Sequence, residues 1–216
     1  MEAPVPAFVF AKPPVPGVSK TRLAATVGDA LAAELAGAFL HDTLGLLRTV
    51  PGLEPVLSTP DPTWDFGVAV RRVAQGGGTL GDRIARMLDL GLAERGVALA
   101  VGADSPGMPA SRLAAVLESL ESHDAAFVPS DDGGFVVMGV RRLPAGVLEG
   151  VRWSSEHTRA DVIAALVREG LSVVCLEGWF DIDEGPDLER FVRSVPRSAA
   201  PNTWSVLNRA GLGGSG

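Results

Sequence analysis

The chain has 216 residues, of which 46% are hydrophobic and 21% charged, and its formal net charge is −7 at pH 7. That length and balance suit one domain with a substantial core and exclude a disordered chain. The acidic balance excludes a general nucleic-acid binder, which needs a basic surface to release counterions, so an anionic ligand has to be held locally. No uninterrupted apolar run is long enough to cross a bilayer and no basic segment precedes a signal-like run, which predicts a cytoplasmic protein with no membrane partner. The single cysteine, Cys175, excludes an internal disulfide and lies in an apolar run, which predicts a buried thiol.

Residues 7–11 form a short apolar run ended by Lys12-Pro13-Pro14, a strand followed by a loop whose prolines forbid helix and ladder alike. Asp29 is placed to cap an alanine- and leucine-rich helix to about Thr49, with Pro51-Gly52 as its stop. Strands are predicted over 54–58 and 68–74, then a Gly-rich turn from Gln75 opens a helix over 80–95. Residues 97–102 are unbroken apolar sequence, as in a strand buried on both faces of a parallel sheet, and Asp104 stands just past its end. An amphipathic helix over 109–122 and a strand over 125–128 follow. The strand over 134–140 comes after a turn too short for a parallel crossover and is predicted to run antiparallel or to pair elsewhere.

Thr158 with Asp161 has capping-box spacing and opens a helix to Arg168. Residues 171–177 read as a strand, and Pro186 marks the first turn of a helix to about Val195. Residues 1–196 therefore read as one domain and 197–216 as an irregular tail, with 211–216 as a flexible end. Alternating strands and helices imply a mostly parallel twisted sheet with helices on both faces, and right-handed crossovers gather the loops after the strands along one edge, where ligands bind.

Nineteen side chains are cationic, yet the only two lysines, Lys12 and Lys20, share the loop Lys12-Pro13-Pro14-Val15-Pro16-Gly17-Val18-Ser19-Lys20-Thr21-Arg22. Lysine is a compact point charge where arginine is a planar fork, so this concentration suggests phosphate oxygens as the target. Gly17 permits close backbone approach, and the glycine spacing differs from a Walker A loop. Gly102-Ala103-Asp104-Ser105 puts a carboxylate at a strand end, as a Mg²⁺ or Mn²⁺ ligand or as a helix cap. Ser130-Asp131-Asp132-Gly133-Gly134 is a turn or a polar-ligand loop, and Asp181-Ile182-Asp183 sets two acids on one side as a helix cap or a second metal ligand. Trp153-Ser154-Ser155 sets an aromatic beside hydroxyls, and no Ser/His/Asp order or His/Cys cluster supports hydrolase or zinc chemistry.

These stretches, in order from residue 8 to 188, together resemble the GT-A-like transferases associated with radical-SAM selenodomain proteins, a group similar to nucleotide-diphospho-sugar transferases. The Lys-Thr-Arg-Leu loop is also similar to that of phospholactate guanylyltransferases. The resemblance implies a Rossmann-like GT-A fold and a nucleotide or sugar-nucleotide ligand with a small-molecule acceptor. It implies ligand contacts by Lys12, Gly17, Lys20, Arg22, Gln75, Ser105, Gly133, Gly134, Trp153 and Ser154, with Asp132 and Lys20 catalytic and Asp104 and Asp183 holding Mg²⁺ or Mn²⁺. Many GT-A enzymes carry Asp-x-Asp, but the first of those positions here is Gly102. Glycosyl transfer to an unknown acceptor leads; nucleotidyl transfer to a phosphorylated small molecule and non-catalytic nucleotide binding stand beside it.

Overall fold

A computed structural model describes residues 3–214. Seven strands form one sheet: β1 (Val5–Phe10), β2 (Leu53–Thr59), β3 (Arg71–Ala74), β4 (Ala98–Gly102), β5 (Ala125–Pro129), β6 (Phe135–Val140) and β7 (Val173–Cys175). Their order is β3-β2-β1-β4-β6-β5-β7. β6 runs antiparallel to both neighbours, one of the two outcomes the short turn before it allows, and every other pairing is parallel. The helices are α1 (Thr21–Val27), α2 (Asp29–Thr49), α3 (Leu80–Arg95), α4 (Ala110–Ser119), α5 (Thr158–Arg168), α6 (Gly185–Ser194) and α7 (Pro201–Arg209).

Alternation along the strands divides the core. Ala7, Val9, Leu99 and Val101 face α2 and α4, whereas Phe8, Ala98 and Ala100 face α3 and α5. A third cluster, with Leu23, Phe39, Ile182, Phe191 and Trp204, joins α1, α2, α6 and α7. The parallel strands and the antiparallel β6 together bring the loops after β1, β4, β5 and β7 and the start of β6 to one edge of the sheet.

The structure corrects several expectations. Asp29 lies in the first turn of α2 and makes no cap; Gly28, at φ 85°, separates α2 from the short helix α1, which the proline-rich loop obscured. Thr158 and Asp161 form no capping box, because the Thr158 hydroxyl donates to the Arg152 carbonyl at 2.8 Å and Asp161 pairs with Arg152 at 2.7 Å. Cys175 is exposed, since β7 is an edge strand of three residues rather than the seven read from the sequence. An 18-residue stretch of the 21-residue α2 has a mean hydropathy of 1.3, long and apolar enough to cross a membrane by composition, but its Leu40, Leu44 and Leu47 lie in the core against the sheet.

Residues 197–214 are not irregular. A 3-10 turn over Arg197–Ala199 leads into α7, whose Trp204 and Leu207 are buried. The buried Asp42 carboxylate of α2 receives the Asn202 and Thr203 backbone N–H groups at 3.0 and 2.8 Å, and their side chains at 2.8 and 2.7 Å. Asp42 thus satisfies the free donors of the α7 first turn from another helix. Leu212 N–H bonds the Leu207 carbonyl and Arg197 bonds that of Gly213, which ties down the start of the expected flexible end; residues 215–216 lie outside the described residues.

Candidate functional site

Two backbone contacts assemble the site. The N–H of Ile182 donates to the Asp104 carbonyl at 2.9 Å, joining the loop after β7 to the loop after β4. Ile182 is fully buried, so chain alternation turns Asp181 and Asp183 the other way, toward Asp104. Ligand oxygens of Asp104, Asp181 and Asp183 all lie within 4.8 Å of one another. Farther along, Arg159 N–H donates to the Gly133 carbonyl at 2.9 Å, holding the first turn of α5 against the turn after β5.

Lys20 reaches into the acidic group from the loop after β1. Its Nζ lies 2.6 Å from Asp104 Oδ2 and 2.6 Å from Asp183 Oδ1. Its backbone has φ 52°, a conformation costly for a residue with a Cβ and held here by the surrounding loop. In that loop the buried Ser19 hydroxyl donates to the Pro13 carbonyl at 2.8 Å. Burial pulls the Lys20 ammonium down, but the charges of Asp104 and Asp183 outweigh it and hold it above its ordinary value. Burial likewise pushes Asp183 up, and Lys20 and Arg22 outweigh it to hold that carboxylate below its usual range. Arg22 meets Asp183 at 2.7 Å and Glu184 at 3.5 Å. Asp181, without such a partner, is pushed up to about 7 by burial and then by the charges of Asp104, Asp132 and Asp183.

A cleft of about 510 Å³ opens from this group. Arg22, Asp104, Asp132, Gly134, Trp153, Ser154 and Asp183 line it, together with Phe10, Ile84, Phe135, Glu156 and Asp181. Asp132 Oδ1 receives the Ser130 hydroxyl and the Gly134 N–H, the latter at 2.9 Å. Gly133 has φ 87°, and a Cβ there would overlap the Glu156 carbonyl, so glycine is required where the two segments meet. Trp153 stands edge-on to Phe135, with ring centroids 6.4 Å apart, and its indole lies against Gly81, where a Cβ would meet it at 2.6 Å. Ser154 beside it has φ 56°.

Lys12 and Lys20 open on a smaller adjoining hollow of about 260 Å³ that also contains Asp104. Gly17 turns the phosphate-loop candidate at φ 73° and lines neither hollow. Gln75 and Ser105 do not reach the site either. Gln75 is buried and donates from Nε2 to the Ser58 carbonyl at 2.8 Å, while the Ser105 hydroxyl is buried without a partner among the described residues. Asp181 is the member of the acidic group that the sequence did not assign, although its alternation with Asp183 already signalled it.

The cluster of three carboxylates could bind a metal ion: its donors are hard oxygens, and it already concentrates negative charge around an ammonium. Gly102 stands where an Asp-x-Asp motif has its first acid. A Cβ there would come within 3.1 Å of Asp104 Oδ1, so Asp181 and Asp183 supply the additional carboxylates from a different strand end.

Residues 53–155 match the family described as an uncharacterized protein conserved in bacteria, DUF2064. A crystal structure from Desulfovibrio desulfuricans G20, described as a candidate nucleotide-diphospho-sugar transferase, is similar over 94% of both chains, with a TM-score of 0.85 and 27% identity. The 2-C-methyl-D-erythritol 4-phosphate cytidylyltransferase of Thermus thermophilus matches over 88% of this chain and 97% of its own, with a TM-score of 0.52 and 20% identity. A CMP:2-keto-3-deoxy-manno-octonic acid synthetase in complex with CTP covers 88% of this chain and 96% of its own, with a TM-score of 0.57 and 12% identity. These last two likenesses establish the fold. A comparison with curated proteins returns no match.

Proposed function

We propose that the protein is a cytoplasmic, nucleotide-dependent transferase that moves a glycosyl group from a nucleotide-diphospho-sugar to an acceptor. The observation that carries the reading is the joining of Asp104, Asp181 and Asp183 with Lys20 and Arg22 beside an open cleft, on a chain whose full-length structural relative is described as such a transferase. Lys12, Lys20 and Arg22 hold the diphosphate by charge-assisted hydrogen bonds. To reach it, the Lys20 ammonium leaves the pair of carboxylates it now bridges. Asp104, Asp181 and Asp183 would then hold Mg²⁺ or Mn²⁺, and the chemistry supplied by that ion is neutralisation of the departing diphosphate.

Asp132 is the candidate base. Ser130 and Gly134 fix its Oδ1, which directs the other oxygen of the carboxylate to accept a hydroxyl proton from the acceptor. Trp153 and Phe135 supply an apolar wall for a sugar ring. Nucleotidyl transfer from a nucleoside triphosphate is the second reading, favoured by three cationic side chains in one loop and by the fold shared with cytidylyltransferases.

The test begins with a thermal-shift screen of nucleoside triphosphates and sugar nucleotides, with and without Mg²⁺ or Mn²⁺, since a ligand bound only by the native state raises the melting temperature. Turnover of the stabilising compound with an acceptor panel follows. Release of nucleoside diphosphate supports glycosyl transfer and release of pyrophosphate supports nucleotidyl transfer. Metal-dependent binding with neither product across the panel overturns the enzymatic reading.

A further inference from the structure

Charge is divided unevenly between the two hollows that meet at Asp104. The smaller one has both lysines of the chain on its wall. Five acidic residues, Asp104, Asp132, Glu156, Asp181 and Asp183, line the larger cleft against a single cationic one, Arg22, which is already engaged by Asp183 and Glu184. With Lys20 moved to the diphosphate, a divalent ion at the acidic triad would offset two of the three charges of Asp104, Asp181 and Asp183. Asp132, whose Oδ1 meets the Ser130 hydroxyl and the Gly134 N–H, keeps its charge at the cleft, and Glu156, with His157 Nε2 3.7 Å from its Oε1, adds an exposed carboxylate. Arg159, behind the Asp132 turn, directs Nη1 to the carbonyls of Ser130 and Gly134 at 3.1 and 3.0 Å and does not line the cleft.

Phe10, Ile84, Phe135 and Trp153 supply apolar surface to the same cleft. Carboxylates accept hydrogen bonds from hydroxyl and ammonium groups, and aromatic faces take the C–H side of a ring. The same carboxylates repel a phosphate or a carboxylate, and low-dielectric walls strengthen that repulsion.

We propose that the molecule meeting the nucleotide in this cleft carries neither phosphate nor carboxylate and is a neutral or amino-bearing polyol. The inference rests on the transferase reading above, in which the nucleotide phosphates lie on the Lys12 and Lys20 side. It runs against a phosphorylated acceptor, the substrate that nucleotidyl transfer to a phosphorylated small molecule would need.

Three hexose probes differing in charge test it: glucose, glucosamine and glucose 6-phosphate, measured on the full chain with Mg²⁺ by saturation-transfer NMR, with nucleotide binding scored separately by thermal shift. The expected result is binding of glucose and glucosamine, with glucose 6-phosphate weaker by at least about tenfold. Glu156→Gln and Asp132→Asn should each narrow that gap by raising the affinity for glucose 6-phosphate. The side chain of Glu156 is 81% exposed and Asn keeps the Oδ1 acceptor of Asp132, so both variants should fold. Binding of glucose 6-phosphate as tight as that of glucose, failure of all three probes at millimolar concentration, or an unchanged gap in both variants overturns the proposal. A nucleotide that binds while the charge order is reversed would sink only this inference. Charge discrimination without binding of any nucleotide would sink the transferase reading instead.

Discussion

Lys20 supplies the positive charge between Asp104 and Asp183, and removing it should have opposite effects with and without metal. Without metal, Lys20→Met leaves Asp104 without a cation and Asp183 with Arg22 alone and should destabilise the fold by about 1–3 kcal/mol, less than for a fully buried pair because both acids keep solvent contact. Millimolar Mg²⁺ or Mn²⁺ should raise the melting temperature of the variant more than that of the wild type; an equal metal-induced shift would mean that the ammonium and the metal do not share a place. Asp181 gives a pH signature in metal-free protein. Its carboxyl is raised to about 7, so the folded chain binds the proton more tightly than the unfolded chain does. Stability from this group is therefore full at acid pH, falls as pH rises from about 4 to 7, and stays low above that. With a chelator present, Asp181→Asn should be more stable than the wild type by about 1–2 kcal/mol near pH 8, after allowing for solvent screening, and close to it near pH 4. Parallel melting curves across that range would remove Asp181 from the charged cluster.

At the scale of elements, α7 depends on one distant residue. Its sequence, Pro201 to Arg209, has few strong helix formers, and the acceptor for its first-turn donors is Asp42, in the middle of α2. Asp42→Ala leaves the buried Thr203 donors unpaired and the Asn202 donors to water, and should cost about 2–4 kcal/mol, with hydrogen-exchange protection lost first at α7. Uniform loss of protection across the chain would show that α7 has no separate dependence on Asp42. The contact between the Asp132 turn and the segment before α5 is as demanding. Gly133→Ala combines positive φ with overlap on the Glu156 carbonyl and should cost about 2–4 kcal/mol, read as a lower denaturation midpoint; a change under about 0.5 kcal/mol would mean that the two segments separate freely.

On the scale of the whole molecule, the C-terminal residues belong to the body of the fold. Trp204 packs on Phe191 with ring centroids 5.5 Å apart, and Arg197 lies over the Trp204 ring at 4.6 Å. A chain ended at Pro196 uncovers Phe39 and Phe191 and strands the Asp42 carboxylate without its donors. It should lose its sharp thermal transition and near-ultraviolet dichroism; a cooperative melt within a few degrees of the full chain would make 197–214 an appendage.

The sequence by itself determined the alternation of elements, the mostly parallel sheet and the edge that holds the candidate site, because hydrophobic period and turn residues are local properties. The length of one turn left β6 antiparallel or paired elsewhere, and the sheet made it antiparallel to both neighbours. Concentration of both lysines in a single loop singled out Lys20, and alternation around Ile182 already put Asp181 beside Asp183. Only the tertiary structure decided that the Lys20 ammonium lies between Asp104 and Asp183, since those contacts span 84 and 163 residues. It decided that Gln75 is committed to the Ser58 carbonyl, that Cys175 lies on an exposed edge, and that residues beyond Pro196 form a helix. Each of these depends on a partner distant in the chain, and pairing across the fold leaves no period or motif in the sequence around either partner.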